Sequence, residues 1–254
     1  MNPDFGAASQ DYAQHRAGFP DSLFERLSEF DVGTKGQSIV DLGTGTGSLA
    51  RGFALRGCRV TGIDHSAEML DAARGLDADA GVSVDYRVGK AEETGLPDAS
   101  CDVVTAGQCW HWFDRPRAAR ELRRILKPGG IAVIAHFDWI PLPGNLVRAT
   151  EELIESHNPA WTMGGGKGIH PLWPGDLAGA GFRGIETFSY DLDVPYSAEA
   201  WRGRIRASAG VGGSMSADEV ESFDSELEQM LANRFPQATL MIPHRVFAVI
   251  AHTD

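Results

Sequence analysis

The chain has 254 residues, 43% of them hydrophobic and 23% charged, which is typical of one large α/β domain or of a core domain with an appended subdomain. Thirty-five acidic and twenty-three basic residues give a formal charge of -12, which would repel polyphosphate backbones and disfavours a nucleic-acid substrate. The first residues show no signal-peptide pattern, and no stretch reaches the roughly 20 apolar residues of a membrane span. We therefore expect a soluble, cytoplasmic protein with no membrane partner.

Short β-branched runs alternate with helical patterns from residue 39 onward, which predicts βαβ units and an α/β fold with a parallel sheet covered on both faces. The strand candidates, in chain order, are SIVDLG, RVTGID, VSVDYRVG, CDVVTAG and IAVIAHF. Helices are predicted between them in SLARGFALRG, in AEMLDAARGL after the N-cap candidate Ser66, and in RPRAARELRRILKPGG.

The pattern becomes irregular between about residues 138 and 185, where a helix is mixed with Pro- and Gly-rich loops. One of these, MGGGKGIHP, lacks the spacing of a phosphate-binding loop and is predicted to be a mobile loop that could act as a lid. Farther on, YDLDVPYS and ATLMIPHRVFAVIA are predicted as strands, and SAEAWRGRIRAS and SADEVESFDSELEQMLANRF as helices.

The three cysteines, Cys58, Cys101 and Cys109, lie in apolar surroundings and show no metal-ligand spacing. We therefore expect reduced thiols, no disulfide framework and no metal site.

A glycine-rich turn follows the first predicted strand, with glycines at positions 43, 45 and 47 of VDLGTGTGSLA. Such a turn lets the backbone approach a ligand closely and directs unpaired N–H groups at it. Its GTGSLA fits the alanine form of the dinucleotide motif, and Asp64 stands 17 residues past the last glycine, where a ribose-binding carboxylate is expected. The glycines alone do not decide between a dinucleotide and another nucleoside ligand.

Asp41, two residues before the first glycine, favours a cationic ligand. A carboxylate at this point repels a pyrophosphate, whereas S-adenosylmethionine carries an ammonium and a sulfonium beside its adenosine. Asp64 is placed to accept both ribose hydroxyls. The alternative is that Asp41 only starts the following helix and that Asp64 only caps the next one.

These motifs resemble those of class I S-adenosylmethionine-dependent methyltransferases, carried by VDLGTGTG, VTGIDHSAEML, VGKAEETGLPDASCDVVTAGQCWHWFD and ELRRILKPGG. The segments AGQCWHWFD and YAQHRAGFP are similar to those of the subgroup that includes trans-aconitate methyltransferase. The resemblance implies a Rossmann-like, doubly wound sheet of seven mostly parallel strands with an antiparallel last strand and a helical cover. It also implies lid helices in residues 1–35, a cofactor-binding core in 36–137, and substrate-covering insertions with the last strands in 138–254.

The same resemblance assigns the cofactor-binding residues. It places the methionine end of the cofactor against the glycine turn, the ribose on the second carboxylate and the adenine beside GKAEE. With the further contacts that it implies, the predicted cofactor-binding residues are Tyr12, Arg16, Asp41, Gly43, Gly45, Gly47, Asp64, His65, Met69, Ala91, Glu92 and Gln108. Lys90 departs from the common pattern, because a cation cannot accept the hydrogen bond of the adenine amino group. Gln108 could equally be a polar residue that merely ends its strand.

The segment QCWHWFD follows the fourth predicted strand, at the edge where open α/β sheets bind ligands. Trp110 and Trp112 could form apolar walls of a substrate site, and His111 could orient or deprotonate an acceptor. Arg16 could clamp a substrate carboxylate, and with His111 and Trp112 it makes up the predicted catalytic set. Each has a structural alternative: the tryptophans could pack under a lid, His111 could only hydrogen-bond, and Arg16 could seat the N-terminal segment.

Beyond residue 138, the candidate substrate contacts are Trp139 and Trp201, with Trp161, His170, Trp173 and Arg204 as further possibilities. The leading hypothesis is a methyltransferase acting on a small molecule, with a carboxylate oxygen preferred as the acceptor. Two alternatives stay open, a nicotinamide-dependent oxidoreductase and a catalytically silent cofactor-binding protein.

Overall fold

The structure is a computed structural model that describes residues 18–254. The strands of this part of the chain are β1 (Ser38–Leu42), β2 (Arg59–Asp64), β3 (Asp85–Val88), β4 (Cys101–Gly107), β5 (Leu126–Trp139), β6 (Arg183–Tyr196) and β7 (Leu240–His252). They form one sheet in the order β3-β2-β1-β4-β5-β7-β6. Because the strand order reverses beside β1, the crevice at the carboxyl ends of β1 and β4 is the expected ligand site of such a sheet.

The helices of the described residues are α1 (Asp21–Ser28), α2 (Ser48–Leu55), α3 (Ala67–Ala80), α4 (Arg115–Ile125), α5 (Leu146–His157), α6 (Trp173–Gly179), α7 (Ala198–Arg206) and α8 (Ala217–Arg234). A short 3-10 helix at Trp110–Trp112 follows β4. None of these helices in residues 18–254 is long and apolar enough to span a membrane.

The pairing of the strands confirms the predicted Rossmann-like architecture. Strand β1 is parallel to both β2 and β4, while β3 is parallel to β2 and β5 to β4. Strand β7 is antiparallel to β5, since the amide of Thr253 donates to the carbonyl of Gly130 and the amide of Ile140 to that of Pro243. Residue numbers therefore rise along β5 as they fall along β7, as predicted for the last strand.

Several of the helix boundaries follow local capping rules. Ser66 caps α3 as predicted, accepting a hydrogen bond of 3.2 Å from the amide of Met69, and Gly81 ends this helix in a left-handed conformation. The pattern RPRAARELRRILKPGG predicted a helix whose inward residues include Leu122, Ile125 and Leu126; all three are buried, and α4 ends at Ile125 with Leu126 as its C-cap. The helix does not continue because Pro128 cannot donate a helical hydrogen bond and disfavours helical geometry in the residue before it.

The described residues divide into two compact units. The core unit comprises residues 18–137, 170–190 and 246–254 and contains the glycine turn. One buried cluster of this unit joins apolar residues of β1, β4, β5 and β7 to the inward faces of α4 and α6, among them Val40, Val104, Leu122, Ile134, Leu177 and Val249.

The second unit comprises residues 138–169 and 191–245 of the described chain. It has its own buried cluster, in which the fully buried Trp201 of α7 packs with apolar residues of α5 and α8, including Ile154, Phe223, Leu227 and Leu231. The predicted role of the region after residue 138 as a substrate cover stays a prediction.

The conformation of the glycine turn is adapted to a tyrosine beneath it. Gly47 has a φ of +77°, and a Cβ at this position would lie 2.1 Å from the hydroxyl oxygen of Tyr86. A Cβ at Gly62 on β2 would lie 2.7 Å from the ring of the same tyrosine. Since Tyr86 is 7% exposed and wedged between two backbone segments, Gly47 is required by protein packing as well as by any ligand.

We predict that Gly47→Ala lowers the free energy of unfolding by about 3 kcal/mol or more, since it combines left-handed backbone strain with overpacking against Tyr86. Gly81→Ala is the matched control, because Gly81 also has a positive φ, +69°, but its added Cβ would meet nothing within 4 Å. The control should lose only about 1 kcal/mol. Urea unfolding of both variants makes the comparison, and equal losses would contradict the packing argument.

Candidate functional site

Asp41 lies at the carboxyl end of β1 and is almost completely buried, at 2% exposure. Its two carboxylate oxygens accept hydrogen bonds from the hydroxyl groups of Thr44, at 2.7 Å, and Thr105, at 2.6 Å. Burial raises the pKa of Asp41 from 3.8 to about 6; the two threonine hydrogen bonds act in the opposite direction, and the nearby Asp64 adds to the rise. This carboxylate is therefore held in an environment that opposes its own charge.

Asp64 ends β2 and connects the two loops of the site. Its Oδ2 atom accepts a hydrogen bond of 2.9 Å from the amide of Gly45, and its Oδ1 atom accepts one of 3.0 Å from the amide of Ser66. The ring of His65 lies beside it, with Nδ1 at 3.3 Å from Oδ1, but the His65 side chain is largely exposed. Asp64 thus fixes the glycine turn against the start of α3 and retains oxygen lone pairs for a ligand.

No lysine or arginine within residues 18–254 forms an ion pair with Asp41 or Asp64. Buried carboxylates are normally paired with cations or bound to metals. Within the same range, no group of three or more His, Cys, Asp or Glu side chains could hold a metal ion. The site therefore has a local excess of negative charge, which suits a cationic ligand that also offers hydroxyl groups.

The three glycines of the turn all have positive φ angles, between +56° and +77°. A Cβ at Gly43 would lie 2.8 Å from Cβ of Cys109 and 2.9 Å from the ring of Phe113. A Cβ at Gly45 would meet only the terminal methyl of Met69, at 3.4 Å. Met69, which the sequence predicts to pack against the adenine ring of the cofactor, therefore lies beside the glycine turn.

The residues predicted beside the adenine have protein partners of their own. Ala91 is buried, and the carboxylate of Glu92 accepts a hydrogen bond of 2.8 Å from the amide of Asp114, the N-cap of α4. Lys90 pairs in an isolated antiparallel bridge with Glu93. Glu92 therefore holds the start of α4, and its contact with adenine stays a prediction.

Gln108 directly follows β4, at the edge of the sheet where the parallel strands have their carboxyl ends. It has a φ of +57°, a left-handed conformation that is uncommon for a residue other than glycine, and its amide donates to the carbonyl of Ala135 at 2.9 Å. Backbone strain of this kind is frequently found at functional sites. The predicted contact of Gln108 with the cofactor stays a prediction.

The segment after Gln108 contains both core and surface residues. Trp110 is completely buried, and its indole N–H donates to Asp176 at 3.0 Å, so this predicted substrate contact lies in the core. Trp112 is 40% exposed and packs against the exposed ring of His111, with ring centroids 4.6 Å apart. Of the three predicted contacts in this segment, His111 and Trp112 are therefore the exposed ones.

His136, which the sequence analysis missed, joins this edge from β5. Ala135 is the register partner of Gly107 at the end of β4, so His136 lies one residue beyond that pair. Its ring centroid is 5.9 Å from that of His111 and 4.5 Å from that of His170. A polar residue ending the apolar run IAVIA was the available signal.

Other predicted substrate contacts belong to the second unit. The indole N–H of Trp139 donates to Glu151 at 3.0 Å, and its ring packs edge-on against that of Trp201. The guanidinium carbon of Arg204 lies 4.5 Å from the centre of the Trp139 ring, and its nitrogen lies 3.5 Å from a carboxylate oxygen of Asp138. The structure brings Trp139 and Trp201 together, although Trp201 is fully buried.

Glu151 also tethers the glycine-rich loop of the second unit, since its carboxylate accepts a hydrogen bond of 2.9 Å from the amide of Gly165. Burial raises the pKa of Glu151 above its ordinary value. At the other end of the loop, the guanidinium of Arg245 donates to the carbonyl of Lys167 at 2.8 Å. These two hydrogen bonds attach the loop to Glu151 and Arg245. The predicted role of the loop as a lid stays a prediction.

Tyr12 and Arg16, predicted on the N-terminal lid, lie outside the described residues.

Residues 40–134 match the sequence model of a methyltransferase domain. This range contains both buried carboxylates, the glycine turn and the edge formed after β4. The matched range is similar to methyltransferase domains.

Curated methyltransferases are similar to about half of this chain. An uncharacterized methyltransferase of Mycobacterium tuberculosis is 36% identical over 130 residues, which are 51% of this chain and 50% of that protein. The malonyl-(acyl-carrier protein) O-methyltransferase of Serratia marcescens is 36% identical over 112 residues, which are 44% of this chain and 42% of that protein. The chain thus spans about half the length of these curated relatives.

A solved methyltransferase extends the comparison to nearly the whole chain. The phosphoethanolamine N-methyltransferase 2 of Haemonchus contortus, in complex with S-adenosyl-L-methionine, has a TM-score of 0.58 and 20% identity. The match covers 98% of this chain and 56% of that chain. At this identity the likeness concerns the fold alone.

We predict that Asp41→Asn stabilises the ligand-free protein increasingly as the pH rises. The folded protein keeps the Asp41 carboxyl protonated up to about pH 6, whereas the unfolded chain keeps it protonated only up to about pH 4. Ionisation of Asp41 therefore destabilises the folded state increasingly from about pH 4 to pH 6, and this loss of stability persists at higher pH. Between about pH 5 and pH 8, the variant should gain about 1 to 2 kcal/mol relative to the native chain.

Asp102→Asn is the matched control, since Lys127 and the amide of Ser38 lower the pKa of Asp102. The stability that ionised Asp102 contributes is present above the unfolded pKa and is lost as the pH falls through the lowered folded pKa. This variant should therefore differ from the native chain by a constant amount between about pH 5 and pH 8, and should show the opposite trend only below about pH 4. Urea unfolding across the pH range provides the measurement. Parallel pH curves for Asp41→Asn and the native chain would contradict a raised Asp41 pKa.

Proposed function

We propose that the protein is an S-adenosylmethionine-dependent methyltransferase that methylates a carboxylate oxygen of a small molecule. The observation that carries the proposal is the pair of buried carboxylates, Asp41 and Asp64, which flank the glycine turn without a lysine or arginine partner in the described residues. Their place in a methyltransferase domain supports the choice of ligand.

The residues of the site fit this cofactor. S-adenosylmethionine, when bound, supplies a methyl group on a sulfonium centre that leaves as a neutral thioether. Asp64 would accept ribose hydroxyls with its remaining lone pairs, in charge-assisted hydrogen bonds. Asp41 contributes negative charge beneath the turn, and its threonine hydrogen bonds fix the orientation of that charge. A pyrophosphate would be repelled at the same position, which argues against a nicotinamide cofactor.

Because the methyl carbon of the cofactor is already activated, the protein mainly has to align the acceptor and exclude water. Trp112 offers an apolar wall beside the edge after β4, and His111 offers an imidazole that can hold an acceptor oxygen. An ionised carboxylate needs no general base, so His111 would bind the acceptor rather than deprotonate it.

The carboxylate acceptor is supported by two observations. Three imidazoles, those of His111, His136 and His170, lie in successive ring contact near the carboxyl ends of β4 and β5, and an imidazole N–H is a donor that suits an anionic acceptor. The relative from Serratia marcescens is by its name an O-methyltransferase. An amine acceptor would instead call for an acidic group at this edge.

The proposal also keeps the finer resemblance to the subgroup that includes trans-aconitate methyltransferase. Its described part is AGQCWHWFD, while most of YAQHRAGFP lies outside the described residues. Within this proposal Arg16 clamps a substrate carboxylate, Tyr12 contacts the carboxylate of the cofactor, and the only partner required is the small methyl acceptor.

A methyl-transfer screen with radiolabelled cofactor tests the acceptor class, using matched panels of small carboxylic acids, phenols and amines. We expect labelled methyl esters from one or more acids, and a His111→Gln variant should show a raised KM for that acid with a smaller change in kcat. Transfer to amines or phenols alone would contradict the carboxylate acceptor. Calorimetric binding of NAD without binding of S-adenosylhomocysteine would overturn the choice of cofactor.

Asp64→Ala should weaken binding of S-adenosylhomocysteine by about 1.5 to 3 kcal/mol, because a charged hydrogen-bond acceptor for the ribose is lost. Asp64→Asn is the companion variant, since its amide oxygen can still accept from the Gly45 amide and preserve the turn. Asparagine should therefore restore thermal stability but only part of the affinity. Isothermal titration calorimetry gives the dissociation constants, and an unchanged value in both variants would show that the ribose is held elsewhere.

A further inference from the structure

Arg51 of α2 holds the backbone of the glycine turn from within the protein. Both terminal nitrogens of its guanidinium donate to the carbonyl oxygen of Thr46, at 3.2 and 3.0 Å. Thr46 lies between Gly45 and Gly47, so this carbonyl belongs to the most sharply turned part of the loop. Two donors on one acceptor fix the direction of the peptide plane as well as its distance.

Asp77 of α3 holds Arg51 in turn. Its carboxylate accepts a hydrogen bond of 2.9 Å from the same guanidinium and is 96% buried, while the Arg51 side chain is 83% buried. A buried ion pair of this kind is strongly directional, and removal of one partner leaves the other uncompensated. The pair therefore joins α3 to the glycine turn through a single side chain.

In the described part of the chain, a backbone hydrogen bond of 3.1 Å from the amide of Thr44 to the carbonyl of Ile63 joins the turn after β1 to the end of β2. Two further bridges in this region involve side chains. The first is the hydrogen bond from the Gly45 amide to Asp64, which also faces the ligand in the proposed function. The second is Arg51, which reaches Thr46 and Asp77 and contacts neither Asp41 nor Asp64. When a ligand draws on the oxygens of Asp64, the Arg51 bridge still fixes the peptide of Thr46.

We propose that Arg51 and Asp77 are positioning residues for the cofactor: they fix the Thr46 peptide so that the glycine turn is preorganised for the nucleoside ligand. The inference rests on the proposed function, since it names how the same site is kept ready to bind. It predicts that affinity depends on Arg51 even though this side chain acts only through the turn.

A double variant separates positioning from simple stability. Arg51→Met alone leaves the buried carboxylate of Asp77 unpaired and should lose both stability and affinity for S-adenosylhomocysteine. Arg51→Met combined with Asp77→Leu removes both charges, so the unfolding midpoint should recover while the dissociation constant stays raised by about tenfold. Arg51→Lys keeps a positive charge for Asp77 but not the paired donors, and should give a smaller rise at native stability.

Arg56→Met is the matched control. Arg56 follows α2 directly and makes the same kinds of contact, one to the carbonyl of Gly52 and one to Asp21, but none to the turn. It should leave the dissociation constant within about twofold of the native value. Amide hydrogen exchange should rise across residues 43–49 in the double variant and remain native there in Arg56→Met.

Native affinity in both the double variant and Arg51→Lys would overturn the inference while leaving the proposed function intact. Failure of the native chain itself to bind S-adenosylhomocysteine would overturn both. If the double variant does not fold, Arg51→Lys decides, since native affinity together with native stability in that variant would refute a positioning role.

Discussion

The rest of this site depends on two buried carboxylates, which form no ion pair with a lysine or an arginine of the described chain. Asp41 and Asp64 end neighbouring parallel strands, so the sheet itself brings their charges together. Removing charge from water is costly, and the protein compensates with hydroxyl and amide hydrogen bonds instead of cations. Burial of these carboxylates lowers the stability of the fold but leaves a negatively charged site, which is what a cationic ligand requires.

The conformation of the glycine turn matters both for a ligand and for packing within the protein. Its ligand-side role was apparent from the motif, but the structure adds contacts on the protein side: Tyr86 beneath Gly47, and Cys109 and Phe113 beside Gly43. Arg51 fixes the peptide between the last two glycines. The turn is thus a rigid piece of the core with one face left for a ligand, which is how a preorganised site reduces the entropy lost on binding.

Local patterns predicted most of the fold because helix caps and strand alternation act over a few residues. Ser66 and Gly81 bound α3, and Asp41 and Asp64 were located by their distance from the glycines. Predictions were left open where a distant partner decides. Trp110 resembled a substrate contact, but Asp176, far along the chain, takes its N–H and the core encloses its ring.

The sequence by itself determined the class of fold, the position of the glycine turn and the two acidic residues beside it, because these depend on short-range spacing along strands and turns. Only the tertiary structure decided which side chains share the site. His136 joins His111 through the pairing of β5 with β4, and Asp77 reaches Arg51 because α3 lies beside α2. Such neighbours are set by packing between elements distant in the chain, which no local pattern specifies.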